Sequence, residues 1–116
     1  MTPTIVLKDG KAWLVTGSPG GSRIISAVMQ VIVNVIDRRM PLAEAVGAPR
    51  FHHQWLPDKV FVERGFDATL MESLKRRGHV ISQPLGQTSA NSLMVTPDGL
   101  FGAPDPRTRG ASAAGH

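Results

Sequence analysis

Cysteine is absent from the 116 residues, which removes disulfides, thiolate zinc sites and cysteine nucleophiles together. Its absence fits an oxidising compartment without requiring one. Tyrosine is absent too, and tryptophan occurs only twice. The chain therefore has no basic stripe interleaved with aromatic residues for stacking on nucleic acid, although its formal charge is +4. The basic residues cluster only at Arg38-Arg39 and Lys75-Arg76-Arg77. Each cluster falls where a helix should end, and positive charge there stabilises the C-terminus. No apolar run is long enough to span a bilayer, because Gln30 and Asn34 interrupt the best candidate. The opening Met1-Thr2-Pro3-Thr4 lacks the charged start and apolar core of a signal peptide.

What is present is an ordinary globular balance, 41% hydrophobic and 19% charged, in a chain sized for a single domain over residues 1–116. Asp9-Gly10 between the β-prone runs 4–7 and 12–15 predicts a hairpin. That hairpin leads directly into Gly17-Ser18-Pro19-Gly20-Gly21-Ser22-Arg23, the turn around which the chain is organised. A helix is expected over 22–39, apolar around most of its circumference, with Arg23, Ser26, Gln30, Asn34 and Asp37 as one narrow polar stripe. Its β-branched residues make it dependent on packing. A chain of this size is expected to cover one side of such a helix, leaving apolar surface for a partner or for self-association.

Met40-Pro41 ends the helix, and Pro41 can open a short one over 41–46. Residues 47–58 read as an irregular loop and 59–64 as a strand. A second helix follows over 68–77, with Asp67 as N-cap, Leu70, Met71 and Leu74 on one face and Gly78 as its stop. A strand over 79–82, a loop over 83–88, a hairpin pairing 89–95 with 100–103 and a polar tail complete an α+β chain with two main helices.

The glycine turn admits three readings. It can be a strand-to-helix connection whose glycines permit tight packing, with Ser22 or Ser18 capping the helix and the remaining first-turn N–H groups open. A phosphate cradle lacks the lysine and spacing that such loops need. An oxyanion hole would use the consecutive N–H groups of Gly20 and Gly21. Elsewhere, adjacent His52 and His53 have no third ligand and suit hydrogen bonding better than a metal. Asp105 and Arg107 suggest an ion pair holding the tail. Ser18, Ser22 and Ser26 do not lie in G-x-S-x-G, so the residues alone announce no nucleophile.

Longer motifs add a resemblance. Pro3-Thr4-Ile5-Val6-x-Lys8-Asp9-Gly10 and the glycine turn through Ile25 are followed by Ala48-Pro49-Arg50-Phe51-His52-His53-Gln54-Trp55-Leu56-Pro57-Asp58. Val62-Glu63-Arg64-Gly65-Phe66, Asp105-Pro106-Arg107 and Ala114-Gly115-His116 come next, in order. This series resembles the C-terminal part of the small subunit of γ-glutamyltranspeptidases, also called glutathione hydrolases. The resemblance implies part of an αββα N-terminal-nucleophile hydrolase sandwich, acting on γ-glutamyl amides without a cofactor, in the periplasm or outside the cell. It puts Gly20 and Gly21 on the family's oxyanion-hole glycines, which are also substrate-binding. The family's nucleophilic threonine and the serine pair that holds the substrate carboxylate match no residue here. The chain is thus expected to be inert alone and to need an upstream small-subunit segment and a large subunit as partners. The alternatives are a noncatalytic assembly module of the same fold and a stand-alone anion-binding domain using the Gly20-Gly21 turn.

Overall fold

A type of turn that only left-handed residues can close starts the chain. Asp9 and Gly10 have φ of +51° and +74°, matching the twist of the strands they join, β1 (Thr4–Lys8) and β2 (Lys11–Gly17). The computed structural model describes residues 3–85 and 88–114. They fall into two compact units, one from 3–48 with 88–114 and one from 49–85.

In the first unit, β6 (Asn91–Thr96) and β7 (Gly99–Ala103) extend the hairpin into an antiparallel sheet of order β1-β2-β6-β7. A register shift between Val6 and Leu7 bends the first pair. Helices α1 (Arg23–Ile36) and α2 (Leu42–Gly47) pack on this sheet. They enclose Leu14, Val31, Val35, Leu42, Ala45, Val46, Ala90 and Ala103. Helix α1 is shorter than the expected 22–39, and Asn34 accounts for part of its ending. Met40 N–H donates to the Asn34 carbonyl at 3.0 Å, and Arg39 takes a left-handed φ of +55°.

The polar stripe of α1 is not its solvent face. Ala27, Val28, Val31, Asn34 and Val35 are buried. The side opposite them exposes Ile25 (76%), Met29 (47%), Val33 (37%) and Ile36 (45%). Ser26 and Gln30 lie half-buried on the flank. Asn34 tolerates burial because its Nδ2 donates to the Ala45 carbonyl at 3.4 Å.

In the second unit, β3 (Phe51–His52) pairs antiparallel with β4 (Val60–Val62). That strand pairs in parallel with β5 (Ile81–Ser82) across α3 (Ala68–Arg76). Residues 51–52, expected in a loop, thus form a short strand. Arg50 and Glu63 fix its start, the Glu63 carboxylate accepting Arg50 N–H at 2.9 Å while Glu63 N–H donates to the Arg50 carbonyl at 2.9 Å. Asp67 caps α3 by accepting Leu70 N–H at 2.9 Å, and Gly78 follows the helix with φ +93°. No residue of α3 is buried, and Leu70 in the expected apolar face is exposed. Gly86 and Gln87 of the expected 83–88 loop lie outside the described residues.

Candidate active site

Strand β2 ends at Gly17 and α1 begins at Arg23, so the five-residue turn between them inherits its position from the sheet. Ser18 is fully buried, and its Oγ donates to the Pro19 carbonyl at 2.7 Å. Gly20 and Gly21 have φ of +132° and +59°, conformations that side chains disfavour. The carbonyl of Gly20 accepts Arg23 N–H at 3.2 Å, and that of Gly21 accepts Ile24 N–H at 3.1 Å. The two glycines therefore satisfy the first helical amides, correcting the expectation of an open first turn. Ser22 occupies the N-cap position without a side-chain capping bond, and Ser18 is committed to Pro19, so neither serine caps the helix.

Both glycines are exposed, and among the described residues neither amide donates a hydrogen bond. Two adjacent amides held in this way suit an oxygen that develops negative charge, because they need no reorganisation as that charge appears. Gly21 also borders an aliphatic groove of about 660 Å³ with Thr4, Ile25, Val28, Met29 and Val33. The groove supplies no charged group.

Sequence reasoning missed the neighbour of this turn. Thr88, 3% exposed, comes from the segment before β6, and its Cγ2 stands 2.7 Å from where a Cβ on Gly20 would lie. Only tertiary structure brings it there. Strand β6 runs beside β2, with Gly17 opposite Asn91 and Thr16 opposite Ser92. The buried hydroxyls of Ser92 and Thr16 are 2.8 Å apart.

The loop histidines are occupied otherwise, as expected for structural hydrogen bonding. His52 Nε2 lies 2.9 Å from Gln54 Oε1, and His53 Nε2 lies 3.1 Å from Asp58 Oδ1. His53 Nδ1 accepts Trp55 N–H at 3.2 Å. Among the described residues no three His, Asp or Glu side chains gather as a metal site. Nor is any helix long and apolar enough to cross a membrane. Asp105 and Arg107 do form the expected ion pair, at 3.1 Å.

A profile of the family described as gamma-glutamyltranspeptidase matches residues 1–115. The chain belongs to the gamma-glutamyltranspeptidase family. It is similar to the glutathione hydrolase proenzyme of Escherichia coli (strain K12), with 54% identity over 117 residues covering all of this chain and 20% of the relative. It also resembles the crystal structure of an acivicin-inhibited gamma-glutamyltranspeptidase, with a TM-score of 0.87 and 48% identity over 94% of this chain and 61% of that one. A gamma-glutamyltranspeptidase from Pseudomonas nitroreducens in complex with L-DON gives a TM-score of 0.88 and 37% identity, covering 100% and 62% of the two chains. The mixed helix-and-sheet arrangement is thus that of gamma-glutamyltranspeptidases, members of the N-terminal-nucleophile hydrolases. The chain spans about one fifth of the length of the curated relatives it matches.

Proposed function

We propose that this gamma-glutamyltranspeptidase chain takes part in γ-glutamyl transfer and hydrolysis as a portion of a larger enzyme, with Gly20 and Gly21 as its oxyanion hole. The observation that carries the reading is the pair of consecutive exposed glycines at φ +132° and +59°. Their amides donate to no acceptor among the described residues.

In this reading a nucleophile on the remaining part of the enzyme attacks the γ-carbonyl carbon of a γ-glutamyl amide. The carbonyl π electrons move onto oxygen, and the two N–H groups stabilise the oxyanion. Collapse of the tetrahedral intermediate expels the amine and leaves a γ-glutamyl ester on the nucleophile. Water or an acceptor amine then attacks the ester, the oxyanion forms again in the same place, and collapse releases the acid or a new amide. The fold leaves α1 uncovered on the side of Ile25, Met29, Val33 and Ile36, which suits a chain that assembles with further polypeptide. Work in the periplasm or outside the cell is part of the same proposal, supported by the family resemblance alone.

The test is turnover of a γ-glutamyl anilide. The chain alone is expected to give none. Co-expressed with a family member's upstream small-subunit segment and large subunit, it is expected to restore turnover, and Gly20→Ala in that complex, which keeps the N–H but displaces it, to lower kcat by about 10²-fold. An unchanged kcat in the variant would refute the oxyanion role. The exposed α1 face also supports a second reading, a noncatalytic assembly module, which predicts a stable complex without turnover.

A further inference from the structure

We infer that Thr88 is a positioning residue for the Gly20-Gly21 turn, its γ-methyl setting the conformation in which the two amides are presented. The inference rests on the oxyanion reading of those glycines. Of the three atoms nearest to a Cβ built on Gly20, two belong to Thr88, Cγ2 at 2.7 Å and Cβ at 3.7 Å. Among the described residues nothing lies within 4 Å of the equivalent position on Gly21. The turn is therefore walled on the Gly20 side alone. A wall of this kind sets geometry only if its segment is held, and three contacts hold the residues that directly follow Thr88. The buried Asp105 carboxylate accepts Ala90 N–H at 2.6 Å, the Asn91 side chain accepts Asp105 N–H at 2.9 Å, and Ser92 Oγ donates to Thr16 Oγ1 at 2.8 Å. Thr16 belongs to the strand that feeds the turn, so both sides of the Thr88–Gly20 contact are tied to one sheet.

A residue that merely fills space would tolerate either loss of its methyl or loss of its hydroxyl. A positioning methyl would tolerate loss of the hydroxyl alone. Thr88→Ser removes Cγ2 and keeps the hydroxyl, whereas Thr88→Val keeps a methyl there and replaces the hydroxyl. The readouts are the amide NMR shifts of Gly20 and Gly21 in the chain, and kcat and KM for a γ-glutamyl anilide in the complex with the upstream segment and large subunit.

Thr88→Ser is expected to move both amide resonances and to lower kcat by about tenfold with KM changed less than about twofold, since small displacements of catalytic groups act on the chemical step. Thr88→Val is expected to leave kcat within about twofold. Unmoved amides in Thr88→Ser, or equal damage from the two variants, would overturn the inference. Amides that move while kcat stays constant would overturn the oxyanion reading, and with it any catalytic meaning of the contact. A measurement that needs no change at position 88 guards against a variant that does not fold. Gly20→Ala should shift the Thr88 methyl resonance and Gly21→Ala should not, and the reverse pattern would also count against the contact.

Discussion

The carboxylate of Asp105 accepts the backbone N–H of Ala90 at 2.6 Å while wholly removed from solvent. Its other oxygen takes Arg107 N–H at 2.9 Å and Arg107 Nη1 at 3.1 Å. The guanidinium then reaches the C-terminal end of α2, donating to the carbonyls of Val46 at 2.9 Å and Ala48 at 2.8 Å. Two tail residues, Asp105 and Arg107, thus join the start of β6 to the end of a helix.

Asp105→Ala should destabilise the first unit by about 3–5 kcal/mol, because it removes the carboxylate that neutralises a largely buried guanidinium and leaves the Ala90 amide without its acceptor. Urea denaturation followed by circular dichroism measures this. A loss below about 1 kcal/mol would mean that other contacts hold the tail.

Gly20→Ala and Gly21→Ala should differ in stability. Both impose a left-handed conformation on alanine, costing about 1–2 kcal/mol. Only Gly20→Ala also drives a methyl against Thr88, where a Cβ would stand 2.7 Å from Cγ2, adding about 1–3 kcal/mol of overpacking. The denaturation midpoints of the two variants give the order, and equal midpoints would contradict it.

Leu14→Ala should cost about 2–5 kcal/mol, since Leu14 is fully buried in the sheet–helix core. Ile25→Ala should cost no more than about 0.5 kcal/mol, since Ile25 is 76% exposed. Thermal unfolding of the pair checks the orientation assigned to α1. A large loss from Ile25→Ala alone would reverse it.

Asp67→Ala should weaken α3 by about 1 kcal/mol through loss of the cap on Leu70 N–H. Asp67→Asn should recover most of that. Faster amide exchange confined to the first turn of α3 is the expected signature, and unchanged exchange there would show the cap to be dispensable.

Features that one residue decides locally were legible in the sequence. Asp9-Gly10 fixed the hairpin, Asp67 and Gly78 bounded α3, and Pro41 set the entry to α2. The family motifs carried the fold, because they run in order along nearly the whole chain. What the sequence hid depends on neighbours distant along the chain. The polar stripe of α1 did not say which side would be buried, and it is Asn34 that turns inward to Ala45 while the side of Ile25, Met29, Val33 and Ile36 faces water. Residues 51–52 gave too short a run to signal a strand, and they become one only by pairing with β4. The glycine turn was legible as a turn, but the methyl that walls it comes from the segment just before β6, distant in sequence, and no local pattern in 83–88 marks it.

The uncovered row of Ile25, Met29, Val33 and Ile36 on α1 has a consequence for the chain in the test tube. Attraction between apolar surfaces weakens on cooling. Concentrated solutions of the isolated chain should therefore cloud on warming and clear on chilling, and replacing Ile25 with a charged residue should raise the temperature at which turbidity appears.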